Sequence, residues 1–239
     1  MAAANALAAV LVFLLTGPAA GAQALSVLPV NIFFPPGQKA TTLTVTNQGQ
    51  NETAVQIRAY DWNQQDNKDP LTATDAVVLS PPLASIAPGA TQVVRLILRQ
   101  TPQGHEATYR ILVDQIPPPA EPGIVHIVLR LSIPIFALPG TRALPHVQFH
   151  VERDAEHAFL VGINDGLVHE SVREILLTTT DGRQLKTEPS ASPYILAGAT
   201  RRWPIAPQGP LPLPSEALRL TAHENAGAID EQVHVTLAQ

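Results

Sequence analysis

Three histidines are candidates for metal binding, because His146 and His150 are four residues apart and His157 follows them. On a helix, residues i and i+4 share a face, and two imidazoles placed there could bind a metal ion. The segment HVQFHV at 146–151 instead alternates polar and apolar residues, which is typical of a strand. Strand histidines are far more often solvated than metal-bound, so we predict no metal site.

The residue types that enzymes use occur here without the spacing that catalysis needs. The chain has no cysteine, which excludes disulfides and thiolate chemistry. It contains no Gly-x-Ser-x-Gly, no His-Glu-x-x-His and no phosphate-binding glycine loop. The polar segment NQQDNKD at 63–69 lacks the ligand order and the glycine of a calcium loop, and we predict a solvated hairpin loop there. The sequence therefore predicts a protein that is not an enzyme and needs no cofactor.

The most distinctive segment is the apolar run GIVHIVLRLSIPIFALPG, which begins at Gly123 and ends at Gly140. Alternate positions are apolar, which predicts a strand with one hydrophobic face. That face consists of Val125, Ile127, Leu129, Leu131, Ile133 and Ile135. Such a row either closes the core of its own domain or is offered to another polypeptide, and periodicity alone leaves both possibilities open.

Charge and the N-terminal segment limit the partners and the compartment. The 239-residue chain has a formal net charge of -5 and a pI near 5.9, which argues against nucleic acid as a partner. Residues 1–24 are similar to a secretory signal peptide, with an apolar stretch, a Gly-Pro pair and small residues suited to cleavage. That stretch, about ten residues, is too short to cross a bilayer. We predict an exported protein whose mature chain does not insert into a membrane.

Short alternating segments separated by turn residues follow one another along the mature chain, and we find no segment with helical periodicity. With 23 prolines and 14 glycines, a helix would be interrupted at many points. The pattern pauses at a short proline-containing linker near 138–145 and then restarts. We predict an all-β protein with two sandwich domains, residues 25–140 and residues 141–239.

Several motifs, in a fixed order, resemble the periplasmic chaperones that assemble pili. The matching segments of the first domain are VTN at 45–47, VLSPPL at 78–83, IAPGA at 86–90, VRL at 94–96, Glu106, Tyr109 and QIPP at 115–118. Two further segments are most similar to the archaic, spore-coat-U-associated branch of that family: LRLSIPIF at 129–136 and AGATRRWP at 197–204. The resemblance implies two immunoglobulin-like domains in an L or boomerang arrangement, preceded by the signal peptide.

The resemblance also implies a function for the apolar run. Chaperones of this family lend a strand, here residues 123–138, to pilin or spore-coat-U-like subunits that lack their last strand, and then deliver them to an outer-membrane usher. By position, the donor residues are Val125, Ile127 and Leu129, with Leu131 as a fourth. The implied setting is the periplasm, in fimbrium biogenesis and cell wall organisation. An unpaired apolar edge also suggests that the free protein caps itself as a homodimer.

The cations with which well-known members hold the subunit's C-terminal carboxylate are missing here. The position of the first-strand arginine is occupied by Asn31, and the position of the donor-strand lysine by Pro134. Asparagine donates hydrogen bonds without a charge, and proline donates none. Asn31 and Arg130 are therefore the candidate contacts for the subunit's terminus, although a solvated or domain-stabilising Arg130 fits the pattern equally well.

Two charged residues match family positions with a structural role. Arg95 lies in the Val-Arg strand and is predicted to form a structural ion pair. Glu106 matches a glutamate in a charge network between the domains, but Leu138 occupies the position of its usual basic partner. We therefore expect an altered network around Glu106.

Two other classes of protein remain open at this level. One is a secreted immunoglobulin-like structural or adhesive protein, whose long strand would close its own core. The other is a hydrolase or metalloenzyme on a β-sandwich, which has only the scattered histidines in its favour. Co-expression with a subunit separates the first from a chaperone, and metal analysis tests the second.

Overall fold

The computed structural model describes residues 25–119, 122–123, 126–140, 142–190, 192–206 and 209–238, and these residues form strands and loops without a helix. The predicted signal peptide and Val125 lie outside the described residues. Among those described, no helix is long and apolar enough to cross a lipid bilayer. The predicted all-β class is confirmed for this part of the chain.

Ten strands build the first half of the molecule. They are β1 (Leu25–Leu28), β2 (Ile32–Phe34), β3 (Ala40–Asn47), β4 (Thr53–Trp62), β5 (Leu71–Ala73), β6 (Val77–Ser80), β7 (Leu83–Ile86), β8 (Thr91–Leu98), β9 (Ala107–Ile116) and β10 (Arg130–Ala137). The first sheet has the order β1-β3-β8-β6, and the second has the order β2-β10-β9-β4-β5, with β7 also paired to β4.

The two sheets enclose one core because each strand alternates its buried and exposed positions. In β8, for example, Val94, Leu96 and Leu98 are buried, while Val93 and Ile97 are exposed. Facing residues of the second sheet complete this core, among them Ile57, Ile111, Val113, Ile133 and Ile135. This period-two pattern is the feature from which the sandwich was predicted.

Nine strands build the second half. They are β11 (Val147–Arg153), β12 (Ala158–Asn164), β13 (Glu170–Ser171), β14 (Arg173–Thr178), β15 (Gln184–Lys186), β16 (Tyr194–Ile195), β17 (Thr200–Pro204), β18 (Ala217–Glu224) and β19 (Gly227–Leu237). Seven of them form one sheet with the order β15-β14-β18-β19-β11-β12-β17, and β13 pairs with β16. Trp203, Leu160 and Leu220 belong to its core.

The two ends of the seven-stranded sheet meet. An isolated bridge joins Thr187 to Ile205, Glu188 N donates to Pro204 O, and Ala206 N donates to Lys186 O, both at 2.8 Å. These bonds pair the continuation of β15 with the end of β17, so that the sheet curls back on itself. Two side chains of the first half, Trp62 and Phe136, are buried in this second core. The domain limits at residues 24 and 140 stay predictions.

Candidate functional site

The strand of the apolar run begins later than predicted. We expected a strand over residues 123–138, but β10 spans Arg130–Ala137, and the described residues 126–129 precede it without strand pairing. In the register of β9 and β10, the last two residues of β9, Gln115 and Ile116, lie opposite Leu129 and Val128. Three prolines follow Ile116, so the residues before Val128 have no strand to pair with. Residues 126–129 are called the approach segment below.

The apolar row divides into a buried part and an exposed part. Ile133 and Ile135 are buried in the first core, and Leu131 packs against it partly buried. Leu129 is half-buried, whereas Ile127 is 83% exposed. The domain thus buries one end of the row itself and leaves the other end in solvent.

A buried glutamine holds the point where the approach segment joins β10. Gln115 N donates to Leu129 O at 2.9 Å, and Leu129 N donates to Gln115 Oε1 at 3.2 Å. The Gln115 amide in turn donates to Thr53 Oγ1 at 2.9 Å. Gln115 is 5% exposed, so these bonds are shielded from water and fix Leu129 against β9.

One edge of β10 is open. On one side β10 pairs with β9 along its whole length, but on the other side β2 pairs only with Ile135, Phe136 and Ala137. No described strand pairs with Arg130–Pro134 on that side. Free N–H and C=O groups along an edge form a template for a further strand.

Asn31 and Pro134, which occupy the positions of the two missing cations, lie at the end of this open edge. Asn31 precedes β2, and its Oδ1 accepts a hydrogen bond from the hydroxyl of Tyr194 in the second half, at 3.1 Å. Pro134 is buried and lies opposite Arg110 of β9. Arg110 was missed by the sequence analysis, because its nearness to Pro134 depends on a strand register that the sequence does not reveal.

Arg110 is a half-buried cation whose guanidinium lies on an aromatic ring. Its Cζ is 3.8 Å from the centre of the Trp62 ring, and its Nη1 donates to Ser132 Oγ at 3.4 Å. Among the described residues, no carboxylate forms an ion pair with it. Burial lowers the pKa of Arg110, and the nearby Asp69 partly opposes that shift.

Arg130, the other candidate terminus contact, is bound within its own domain. Its Nε donates to Asp114, which also accepts from Arg58 Nη2 at 2.5 Å. Burial raises the pKa of Asp114, but the hydrogen bonds from Arg58 and Arg130 outweigh it and leave this pKa below its usual value. The side chain of Arg130 is nevertheless 63% exposed and can still reach a partner.

The network around Glu106 connects the two halves of the molecule. Glu106 Oε2 accepts from the backbone N of His169, and His169 Nδ1 lies 2.9 Å from the same oxygen. Glu106 N donates to Leu167 O at 2.8 Å. The His169 ring stacks on Phe136 with centroids 3.5 Å apart. In this chain the partner of Glu106 is therefore His169, since Leu138 occupies the position of the family's basic residue.

His169 was not singled out in the sequence, although the missing partner of Glu106 was a signal that another residue had to pair with it. Arg95, by contrast, is exposed on β8 and does not meet Glu106. No ion pair of Arg95 occurs among the described residues.

The histidines considered for metal binding lie apart. His146 pairs with Asp165, His150 lies 3.1 Å from Glu152, His157 lies 3.5 Å from Asp154, and His126 is exposed. In the part of the chain that the structure describes, no group of three or more metal-ligating side chains has metal-binding geometry.

Comparison with known proteins identifies the class. Residues 24–142 match the pili and flagellar-assembly chaperone family through its PapD N-terminal domain. The chaperone protein FimB/FhaD of Bordetella pertussis is 31% identical over 122 residues, which cover 48% of this chain and 49% of the relative. The chaperone protein PapD of Escherichia coli is 27% identical over 139 residues, which cover 56% and 55%. The chain thus spans about half the length of the curated relatives it matches.

Solved structures show the same two-domain β-sandwich fold. One of them is CsuC, solved in a chaperone–tip adhesion subunit complex of the archaic Csu pili of Acinetobacter baumannii. The match covers 90% of this chain and 100% of CsuC, with a TM-score of 0.66 and 24% sequence identity. The YadV chaperone matches over 88% of this chain and 98% of its own, with a TM-score of 0.64 and 16% identity. Residues 24–142 of the chain belong to the PapD-like family of pilus-assembly chaperones, a non-enzymatic family.

Proposed function

We propose that this protein is a periplasmic chaperone that holds pilin-like or spore-coat-U-like subunits by donor-strand complementation and delivers them to an outer-membrane usher. The donor residues are Val125, Ile127, Leu129 and Leu131. The observation that carries the proposal is the 83% exposure of Ile127, in phase with residues that the core buries, next to an open strand edge. A subunit strand added at that edge would extend the sheet over the approach segment.

The energetics favour donation of this row. Each Val, Leu or Ile that moves from water into a groove contributes roughly 1.5–3 kcal/mol. Several such residues together offset association costs of similar size. Backbone hydrogen bonds along Arg130–Pro134 add affinity that does not depend on the subunit's sequence.

Known relatives support the class of client and the compartment. CsuC was solved in a pre-assembly complex with the tip adhesion subunit CsuE, and SafB of Salmonella enterica in a complex with the pilin SafA. SfaE, another structural neighbour, is a periplasmic chaperone. A segment similar to a signal peptide at residues 1–24 supports export of this chain as well.

The subunit's terminus would be anchored more weakly here than by a pair of cations. Asn31 uses its oxygen for Tyr194, and Arg130 is shared with Asp114, so each offers its remaining donors to the subunit. In the absence of a client, the same exposed row and open edge would cap a second copy, giving a homodimer.

Co-expression with a pilin-like subunit tests the proposal. Wild type is expected to give a soluble one-to-one complex, and Ile127→Ser combined with Leu129→Ser is expected to lose it. The matched control is Leu213→Ser combined with Leu237→Ser, since these leucines are 67% and 63% exposed in the second half. Equal capture by both double variants would refute donation by this row.

The alternative function is that of a secreted immunoglobulin-like structural or adhesive protein. It is favoured by the burial of Ile133 and Ile135 in the domain's own core. Such a protein would leave the subunit insoluble whichever residue stands at position 127. The co-expression experiment therefore separates the two functions directly.

A further inference from the structure

Three arginines share the outer face of the second sheet. In the register of β4, β9 and β10, Arg130 lies opposite Asp114, Arg58 opposite Leu112, and Arg110 opposite both Tyr60 and Pro134. Alternate residues of a strand point to the same side, so Arg58, Arg110 and Arg130 all face away from the core that Ile111 and Val113 enter. We call these three residues the arginine face.

The arginine face carries more cations than carboxylates. Asp114 is the one carboxylate that pairs with it among the described residues, and it is shared between Arg58 and Arg130. Asp69 lies close enough to influence Arg110 but forms its ion pair with Arg201, at 3.1 Å. In a chain with a net charge of -5, this local excess of positive charge is a specific feature of one surface.

Two arginines of this face have unused hydrogen-bonding capacity. Among the described residues, Arg110 has a single side-chain hydrogen-bond partner, the hydroxyl of Ser132, although a guanidinium has five N–H donors. Arg58 Nε is buried without a partner in the described part of the chain. Arginine binds a carboxylate through two parallel hydrogen bonds, and a ring stacked on the guanidinium, like Trp62 here, limits its orientation.

The open edge of β10 borders this face. A strand added beside Arg130–Pro134 would lie about 4.8 Å from β10, and every second side chain would stand on the same side as Arg130 and Ser132. Arg110 donates to Ser132 on β10, so one end of its guanidinium is directed towards the strand that carries the open edge.

We infer that the arginine face selects client strands that carry aspartate or glutamate side chains at alternate positions, with Arg110 forming the main ion pair. This inference rests on the proposed function, since it requires a client strand at the open edge of β10. It makes Arg110, with Arg130 and Arg58 beside it, a determinant of client specificity in addition to the apolar donor row.

Two short peptides test the inference. Both are amidated at the C-terminus, which removes the terminal carboxylate, and both alternate valine with a second residue, aspartate in one and asparagine in the other. Calorimetric titration of the mature protein at low salt is expected to show about tenfold tighter binding of the aspartate peptide. The preference should shrink as salt is added.

Variants separate a specific role from a structural one. Arg110→Gln should reduce the aspartate preference to about twofold or less, and Arg110→Glu should bind a lysine version of the peptide better than the aspartate version. Arg219→Gln is the control, because Arg219 is 63% exposed and pairs with Asp230 in the second half. Its preference should equal that of wild type. Thermal unfolding of every variant tests whether it is folded. If Arg110→Glu does not fold, the salt dependence of the aspartate preference in wild type still tests the inference.

The possible failures are distinguishable. Equal binding of the aspartate and asparagine peptides to wild type overturns the inference but leaves strand addition intact. An unchanged preference in Arg110→Gln also overturns it. Failure of wild type to bind either peptide would contradict strand addition itself, and with it both the proposed function and this inference.

Discussion

The approach segment, 126–129, and the strand β10, Arg130–Ala137, continue one apolar pattern but have different surroundings. In β10, Ile133 and Ile135 lie between β9 and the facing sheet and are 4% and 0% exposed. In the approach segment, Ile127 has no strand beside it among the described residues and is 83% exposed. Available neighbours, rather than hydrophobicity, therefore decide which part of the pattern the domain buries.

The largest expected effect is at the buried end. Ile135→Ala should lower the free energy of unfolding by about 2–5 kcal/mol, because it leaves a cavity in a closed core. Equilibrium urea denaturation measures the loss. Ile116→Ala is the matched control, since Ile116 is 42% exposed at the end of β9 and should lose much less. Equal losses would mean that burial does not distinguish the two positions.

The next effect concerns the interface that holds the base of β10. Glu106→Gln replaces one acceptor oxygen with an amide facing the donors of His169, and should cost about 1–3 kcal/mol of unfolding free energy. Glu52→Gln serves as the control because Glu52 is exposed. Urea denaturation followed by Trp62 and Trp203 fluorescence measures both. An unchanged midpoint in Glu106→Gln would contradict a role for this pair in stability.

A smaller effect is expected where the two segments meet. The pKa of Asp114 is lowered in the folded protein, so its ionised form contributes stability that is fully present above the unfolded pKa of about 3.9. This contribution is lost as the pH falls through the lower folded value. Asp114→Asn should therefore cost on the order of 1 kcal/mol at pH 7, and the difference from wild type should shrink below about pH 4.

Urea denaturation over a pH series measures this difference. Asp75→Asn, at a carboxylate that is 92% exposed, should give a nearly constant difference over the same range. A gap between wild type and Asp114→Asn that grows as the solution is acidified would contradict the assigned direction of the pKa shift.

The smallest effect on stability is expected at the exposed end. Ile127→Ser should change the free energy of unfolding by no more than about 0.5 kcal/mol, because its side chain is already in water. Ile133→Ser provides the contrast within the same row, since Ile133 is 4% exposed. If the two serine variants lost similar stability in urea, the division of the row would be wrong.

Much of the fold was predictable because two-residue periodicity is local. The alternating segments of the mature chain include β3, β8 and β18, each of which is eight residues long. The strand β16 was not foreseen, since two residues carry too little pattern, and β2 was indicated only by its alignment with the first strand of the family. The start of β10 was placed seven residues too early, because an apolar pattern does not show whether a partner strand lies beside it.

The site was less predictable, because its contacts depend on register and on the docking of the two halves. The pairing of Glu106 with His169 joins residues 63 positions apart, and no local pattern connects them. Arg110 approaches Ser132 because β9 and β10 align Arg110 with Pro134. The resemblance to a chaperone family directed attention to Asn31 and Pro134, but only the register revealed Arg110 opposite Pro134.

The meeting of β15 and β17 in the second half has a consequence for how many clients one molecule can hold. The Thr187–Ile205 bridge pairs the two edges of the seven-stranded sheet with each other, so that they are closed to a foreign strand at this point. Under the proposed function, the number of subunits bound is then set by the first half, where the open edge of β10 would hold one subunit. A crowded solution of unfinished subunits would saturate such a molecule at unit stoichiometry instead of seeding a growing chain upon it.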